Sequence, residues 1–541
     1  MVEYDYLIVG AGSAGCVLAN RLSADRNNRV VLLEAGGGDK HPMLHIPAGW
    51  AANFNNPKVD WGYTTEPEPE LNDRQLYWPR GKVLGGSSAI NGMVYIRGAA
   101  LDFEIWAQSG ARGWSYEEVL PYFRKAEVQQ THDDEFHGGD GLLHVQDVRD
   151  TRSVHDAWID AWVETGVPRN PDFNGAGQAG AGYYQFTQRN GRRWSTATAY
   201  LAPARSRSNL TVLTRVLVEK ILFTGKRAVA VSLRSGNGQV QKLEARHIIL
   251  SGGSVNSPQL LELSGIGDAE RLARLDIPIV HHLPGVGENL QDHIYCPVIY
   301  GTHDEHSINR EVQGWRLGAA ALKWFFLRRG PLTTGSAPVG AFWYTRDGLE
   351  APDIQVHFGS GATMYNAQGR IRALGVAAIT AVVNQSRPES RGSLHIRSAS
   401  PHVPPEIRGN YLSAEIDRRT LIDGMRILMN VFNQDALNPY VTTRMAPYPD
   451  NDDPTDEQIL DYVREVGSTA YHPTCTCAMG DHAMSVVGPN LRVHGVQGLS
   501  VVDASVMPNV VSGNTNAATI MIAEKASDIL LKEKAEQRTQ A

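Results

Sequence analysis

The stretch Asp5-Tyr6-Leu7-Ile8-Val9-Gly10-Ala11-Gly12-Ser13-Ala14-Gly15-Cys16-Val17-Leu18-Ala19-Asn20 decides the fold. An apolar run, Tyr6 to Val9, enters a G-x-G-x-x-G pattern. A helical stretch follows from Ala14 to Leu22, and then a second apolar run at Arg29-Val30-Val31-Leu32-Leu33-Glu34. Strand, glycine turn, helix and strand at this spacing form a βαβ unit of the dinucleotide-binding kind. Gly10 permits the tight turn, Gly12 lets backbone approach a pyrophosphate, and Gly15 lets helix and strand pack closely. The free N–H groups at the helix N-terminus face the anion. Glu34 falls where a carboxylate accepts hydrogen bonds from a ribose diol. The pattern by itself leaves NAD and FAD both open.

The rest of the chain sets limits around this unit. Its 541 residues imply at least two lobes. A net charge of −7, spread without long like-charge runs, argues against a nucleic-acid surface. No basic and apolar leader precedes the first strand, so no secretory signal is expected. The apolar stretch from Leu374 to Val383 is too short to span a bilayer and predicts a buried strand. Cys16, Cys296, Cys475 and Cys477 suggest no disulfide framework. Cys475 and Cys477 lack a second ligand pair at zinc spacing, so no metal site is expected. Together these features predict a cytoplasmic protein.

Residues 36 to 80, rich in Gly, Pro, Asn and Trp, read as an extended excursion, and so do 131 to 150. Strands are expected at Leu210 to Val218, Ala228 to Leu233 and His247 to Leu250, then at Ile354 to Phe358 and Ser393 to Arg397. A terminal helix is expected over Asn516 to Leu531, with a frayed tail from Lys532. Aromatic residues cluster from Trp315 to Tyr344. Within that region the run Lys323-Trp324-Phe325-Phe326-Leu327-Arg328-Arg329 has two readings. One is a membrane-surface patch. The other, preferred because one turn of aromatics is a weak anchor, is a helix packing its apolar side on the substrate sheet.

Three further stretches bear on chemistry. Arg80-Gly81-Lys82-Val83-Leu84-Gly85-Gly86-Ser87-Ser88-Ala89-Ile90-Asn91-Gly92-Met93-Val94 offers backbone and hydroxyls without bulk, as a flat ring or phosphate requires. Gly252 to Gly267 contains Ser257-Pro258, which can start a short helix ending at the Gly265 turn. Near the C-terminus come Tyr471-His472-Pro473, Val502-Asp503-Ala504 and Gly513-Asn514-Thr515-Asn516. A neutral imidazole suits proton transfer, because its pKa lies near neutral pH. His472 precedes Pro473, which biases its backbone to an extended conformation.

The opening unit, these two glycine-rich stretches and the C-terminal pattern resemble the glucose-methanol-choline (GMC) oxidoreductases, FAD-dependent alcohol oxidases and dehydrogenases, over essentially the whole chain. The resemblance is to the choline dehydrogenase and aliphatic alcohol dehydrogenase branch. It implies a mixed α/β and α+β fold, with a Rossmann-like FAD-binding domain and a discontinuous substrate domain on an antiparallel sheet with helices. The expected boundaries are 1–150, 205–300 and 466–541 for the first domain, and 151–204 and 301–465 for the second.

By the same resemblance FAD is the cofactor and His472 the catalytic base, with Asn516 opposite it across the flavin, holding the substrate oxygen. Ser13, Ala14, Glu34 and Ala35 are implied around the pyrophosphate and ribose, and Val218 at the adenine. Val83, Gly86, Asn91, Gly92, Met93 and Val94 are implied along the pyrophosphate and ring, with Asp503 and Ala504 near the flavin end. Covalent members carry a histidine where this chain has Ala89-Ile90, so dissociable FAD is expected. Choline-oxidising members carry a glutamate where this chain aligns Pro338.

Without that glutamate, and with the aromatics from Trp315 to Tyr344 expected to line the pocket, the expected reaction is oxidation of an uncharged, fairly apolar primary alcohol to the aldehyde, with hydride passing to flavin N5. Electrons then go to a carrier such as a quinone rather than oxygen. The alternatives are a choline dehydrogenase, an oxygen-using alcohol oxidase and a non-redox FAD-containing lyase. Peripheral membrane contact is the secondary expectation for location.

Overall fold

The computed structural model describes residues 3–365 and 371–540. Its first strand, β1 (Tyr4–Val9), leads into helix α1 (Ser13–Leu22) and then β2 (Val30–Glu34), the predicted βαβ unit. β1 lies parallel to β2, with Tyr6 opposite Val30 and Val9 opposite Leu33. The strand Leu210–Thr214 adds in parallel beyond β2. On the other side β1 pairs in parallel with the second half of Val240–Leu250, and Leu499–Val501 continues the parallel set. The first half of Val240–Leu250 turns away into an antiparallel meander with Arg227–Ser235 and Val216–Thr224. β2 is buried along its whole length, as a parallel strand covered on both faces must be. The predicted run Leu210 to Val218 is thus two strands, broken at Arg215 where φ is +59°.

The terminal helix, Asn516–Gln540, packs beside α1. Ser13 Oγ donates to Asn516 Oδ1 at 2.7 Å, and Arg21 makes two bonds to the buried Glu524 at 2.7 and 2.8 Å. The same spacing at both contacts makes the two helices parallel, starting side by side. The helix runs through the tail expected to fray, because Lys534 ties it to Asp5 at 2.7 Å and to Asn28 at 2.6 Å.

A second sheet is antiparallel throughout, in the order Val441–Ala446, Ile294–Thr302, Ala378–Gln385, Ile354–Gly359, Val339–Trp343 and Gly180–Tyr183. Of the ten-residue apolar stretch only the second half is a buried strand, Ala378–Gln385, while Val376 ahead of it is exposed. The expected strand at Ser393 is only Ser393–His395. It pairs locally with Glu406–Arg408 instead of joining the main sheet. The helix expected to begin at Ser257 begins one turn earlier and spans Gly253–Leu263, with Pro258 inside it. Pro258 has no N–H for the turn before it, and the Ser254 carbonyl accepts instead from Thr476 Oγ1 at 2.8 Å.

Gly15 sets the distance between α1 and the sheet. A methyl group there would stand 1.9 Å from the Gly10 carbonyl oxygen and 3.5 Å from the Ile8 side chain. Backbone cannot yield as a side-chain tip can, so Gly15→Ala must push α1 off β1. The expected cost is about 1–3 kcal/mol, read as a lower melting temperature of the FAD-free protein. An unchanged melt would show that the close packing carries no stability.

Candidate active site

The carboxyl ends of β1 and β2 and the N-termini of α1, Gly253–Leu263 and Asn516–Gln540 open on one cavity of about 1670 Å³. That exceeds the roughly 300–1,000 Å³ that suffices for a drug-sized ligand. The second glycine-rich stretch closes it from above. Gly86 has φ +51°, and a methyl group on it would lie 2.6 Å from Gly12 Cα, so the two glycine-rich segments touch backbone to backbone. Beyond that contact the cradle is open, since a methyl on Gly12 would meet nothing nearer than the Ser251 carbonyl at 3.9 Å.

Of the expected cofactor-binding residues, Gly10, Gly12, Ser13, Ala14, Glu34, Ala35, Gly86, Asn91, Gly92, Met93, Val94, Val218, Asp503 and Ala504 line this cavity. Gly15 lies within α1, turned to Gly10 and Ile8 instead of to the cavity. Val83 is fully buried among Leu44, Val59, Ala89 and Ile90, so its side chain belongs to the core. Glu34 accepts from the Ala11 and Gly36 N–H groups at 2.9 and 2.7 Å. Burial pushes its carboxyl up to about 7, partly offset by those two N–H donors and by Lys82. Asp503 is committed to the protein: it accepts from Gly253 N at 2.8 Å, Ser257 Oγ at 2.6 Å and Ser505 N at 2.9 Å. It holds the start of Gly253–Leu263 against the cavity wall.

His472 reaches the same cavity from the other sheet. Ser468 and Thr469 pair with Tyr295 and Ile294, and this register lays Tyr471-His472 beside Asp292-His293. Asp292 Oδ1 accepts from the His472 backbone N–H at 2.7 Å, and its Oδ2 accepts from Tyr411 Oη at 2.5 Å and from Thr469 Oγ1. Arg80 Nη2 donates to the Tyr471 carbonyl at 2.7 Å, while Tyr471 holds φ +66°. A non-glycine residue in that region needs such support, and it stands directly before the imidazole.

The tautomer follows from the partners. His293 Nε2 lies 3.1 Å from the Ser386 carbonyl, an acceptor only, so His293 Nε2 carries a proton. Burial lowers His293 to about 4, which keeps it neutral and leaves a lone pair on its Nδ1. That lone pair accepts from His472 Nδ1–H at 3.0 Å. His472 Nε2 is therefore bare, and it accepts from Asn514 Nδ2 at 3.1 Å. The His472 pKa is pushed well below its usual value, first by burial and then by the charges of His293, His357 and Arg80 on protonation. The imidazole is a neutral acceptor at neutral pH.

The asparagine expected at this point was Asn516, and the structure places Asn514 there instead. Asn516 already lies in the first turn of the terminal helix and turns to Ser13. Asn514, two residues earlier, keeps its amide toward His472 because Gln355 Nε2 donates to its Oδ1 at 3.2 Å. The aromatic expectation also needs correction. Trp315, Trp324, Phe325, Phe326, Phe342, Trp343 and Tyr344 do not line the cavity. Its aromatic wall comes from Trp50, Phe54, Trp61, Tyr295 and Tyr471. Asp292, His293 and Arg80 escaped the sequence reading, although Asp292-His293 stand together before a strand, a pattern that sequence alone does not connect to position 472.

A cradle for a dinucleotide beside a buried neutral histidine defines a flavin-dependent oxidoreductase of the alcohol-oxidising kind. Profiles described as GMC oxidoreductase match residues 4–295 and 388–523, and the chain belongs to that family, with FAD as cofactor. It is 43% identical over 537 residues to the mitochondrial choline dehydrogenase of Mus musculus, covering 98% of this chain and 89% of that one. It is 44% identical over 534 residues to an oxygen-dependent choline dehydrogenase of Yersinia pseudotuberculosis serotype IB (strain PB1/+), covering 97% and 93%. Among solved structures, pyridoxine 4-oxidase from Mesorbium loti superposes with a TM-score of 0.87 at 29% identity, covering 97% of this chain and 99% of that one.

In the expected role of ribose acceptor, Glu34 makes FAD binding pH-dependent, because the ionised carboxylate accepts from the diol better than the acid. With the FAD-free carboxyl near 7, affinity should rise as pH increases through 7 and level off above it, with protons released on binding. Titration of apoprotein with FAD between pH 6 and 8, roughly one unit either side of that value, checks this. A flat dependence, or the same slope in Glu34→Gln, would refute it.

Proposed function

We propose that the protein oxidises an uncharged primary alcohol to the aldehyde, with His472 as the base and Asn514 as the residue that fixes the alcohol oxygen. The observation that carries this is the bare Nε2 of His472 facing the Asn514 amide inside the cavity, 3.1 Å away. An alcohol oxygen that displaces this hydrogen bond accepts from the amide and donates its proton to Nε2. Bound FAD supplies the hydride acceptor. His293 holds the His472 tautomer through Nδ1, and Asp292 holds its backbone. His472 is nearly buried in the protein but lines the cavity, so a molecule bound there meets the proton-accepting nitrogen directly. In this reading the two sheets are the cores of an FAD-binding domain and a discontinuous substrate domain. The flavin is held without a covalent bond, since Ala89 offers no nucleophile.

Charge supports a neutral substrate. The carboxylates among the described lining residues are Glu34 and Asp503, and Asp503 is fully used by the protein. Pro338 lines the cavity where a choline-pairing glutamate was expected to align, while Arg74 and Arg80 line it as cations. Choline as substrate is the second reading, favoured by the names of the relatives, with Trp50, Trp61 and Tyr471 as the aromatic faces that would receive a cation. The acceptor in the first reading is a carrier other than oxygen, the location is cytoplasmic, and the protein makes peripheral contact with a membrane.

His472→Ala should lower kcat by about 10²–10⁴ with FAD still bound. Asn514→Ala should cost about 10–100-fold, the loss of one buried donor. Asn516→Ala should act on FAD affinity instead of on the loaded enzyme's kcat. Because the folded His472 pKa is depressed, kcat/KM should stay level as pH falls through 6.5 and drop only further into acid. Stopped-flow reduction of the flavin by alcohol measures all three variants, and an Asn516→Ala enzyme slower than Asn514→Ala would overturn the assignment.

Anaerobic mixing with a panel of alcohols separates the substrate readings. Alkanols should bleach the flavin faster than choline, and turnover with an artificial acceptor should exceed that with oxygen. Faster bleaching by choline selects the second reading. No bleaching by any alcohol would support the lyase alternative and refute both.

A further inference from the structure

The helix Gly314–Leu327 is anchored by one face and bare on the others. Ala320 and Trp324 are its buried residues, set against Ile46 and Leu332, and Trp324 Nε1 donates to the Gly191 carbonyl at 2.8 Å. Leu317, Gly318 and Ala321 form a wall of the cavity. On the opposite side Trp315, Leu322 and Phe326, at i, i+7 and i+11, share one face with exposures of 80, 61 and 72%. Phe325 extends that patch at 61%. The preferred sequence reading, a helix laying its aromatics on the substrate sheet, is thereby overturned: one tryptophan packs and the other large residues face outward. A soluble monomer rarely keeps so continuous an apolar surface.

Charge says what covers it. Between Glu311 and Asp347 the chain carries five cations, Arg316, Lys323, Arg328, Arg329 and Arg346, and no acid, within a protein of net charge −7. Arg316 and Lys323, at i+1 and i+8 from Trp315, flank the apolar face. A second copy docking patch to patch would set these cations against their own equivalents. Aromatic and leucine side chains edged by Lys and Arg fit the boundary between headgroups and acyl chains of an anionic bilayer. No helix among the described residues is long and apolar enough to cross a membrane, so the contact is superficial.

We infer that the helix Gly314–Leu327 docks on the surface of an anionic lipid bilayer, with Trp315, Leu322, Phe325 and Phe326 in the interface and its other side walling the active-site cavity. This deepens the peripheral contact proposed above by naming the element that makes it. An apolar alcohol or electron acceptor dissolved in the lipid would then enter beside Leu317 and Ala321 without first crossing bulk water.

Co-sedimentation of the FAD-loaded protein with vesicles tests it. Binding to phosphatidylcholine vesicles containing phosphatidylglycerol should exceed binding to phosphatidylcholine alone, and salt should weaken it. Leu322→Glu/Phe326→Glu should reduce binding at least about tenfold and leave turnover of a water-soluble alcohol with an artificial acceptor unchanged, since neither side chain lines the cavity. Arg316→Glu/Lys323→Glu should also weaken binding to anionic vesicles. Binding untouched by both pairs would overturn the helix assignment and leave membrane contact standing. Absence of binding to any vesicle would overturn both. A wild-type dimer in solution that the Leu322→Glu/Phe326→Glu change splits, without vesicle binding, would assign the face to a second copy.

Discussion

Backbone meets backbone at the centre of this protein, and most of the rest is arranged to permit it. Gly86 sits against Gly12 at a distance that leaves no room for a methyl group, and Gly15 sits against Gly10. These contacts bring α1 and the second glycine-rich stretch to opposite sides of one slot. The terminal helix starts beside α1 and runs parallel to it, fixed by Ser13–Asn516 and Arg21–Glu524. Two helix N-termini therefore present unpaired N–H groups and the positive ends of their dipoles to the same volume, which suits a pyrophosphate. β2 beneath is buried along its whole length and supplies the rigidity that such a slot requires.

The proposed chemistry rests on a different kind of contact, a chain of directional hydrogen bonds among buried groups. It starts at the Ser386 carbonyl, passes through His293, and ends at the unprotonated nitrogen of His472. Each donor is decided by the one before it, because a carbonyl can only accept. Burial then keeps both rings neutral, since a charged imidazole would lose its hydration without gaining a counter-ion. Asp292 lies on the backbone side of His472, and burial raises it to about 6 even though three protein donors and Arg80 favour its charged form. Its three donors are one main-chain N–H and two hydroxyls, so it positions the loop carrying the histidine and leaves the ring to His293.

The outward face of Gly314–Leu327 shows how composition and placement part company. Aromatic clustering in the sequence pointed to a pocket wall, and the physical assumption was that large apolar side chains go inside. Of the aromatics on that helix only Trp324 does so, and the cavity's aromatic wall comes from the excursion between residues 36 and 80 together with Tyr295 and Tyr471. Phe54, Trp61 and Tyr471 sit in irregular chain, Trp50 opens a single helical turn and Tyr295 lies in the strand Ile294–Thr302, so no shared period marked them as facing a ligand.

What the sequence by itself determined is local: the βαβ unit, the glycine positions, Glu34 at the end of β2, the family and its FAD, all of which depend on spacings within a few tens of residues. The His-Pro pair at 472 stands in the family pattern, and the fold puts its ring at the cavity. What only the tertiary structure decided is every contact made across long separations. Asn514 replaces Asn516 because the helix starts at Asn516 and turns that side chain toward Ser13. Asp292 and His293 join the site because an antiparallel register between Ile294–Tyr295 and Ser468–Thr469 carries them there. Spacing along a chain fixes which atoms a turn or helix brings together, whereas pairing between distant strands is set by the packing of the whole sheet, and no short motif encodes it.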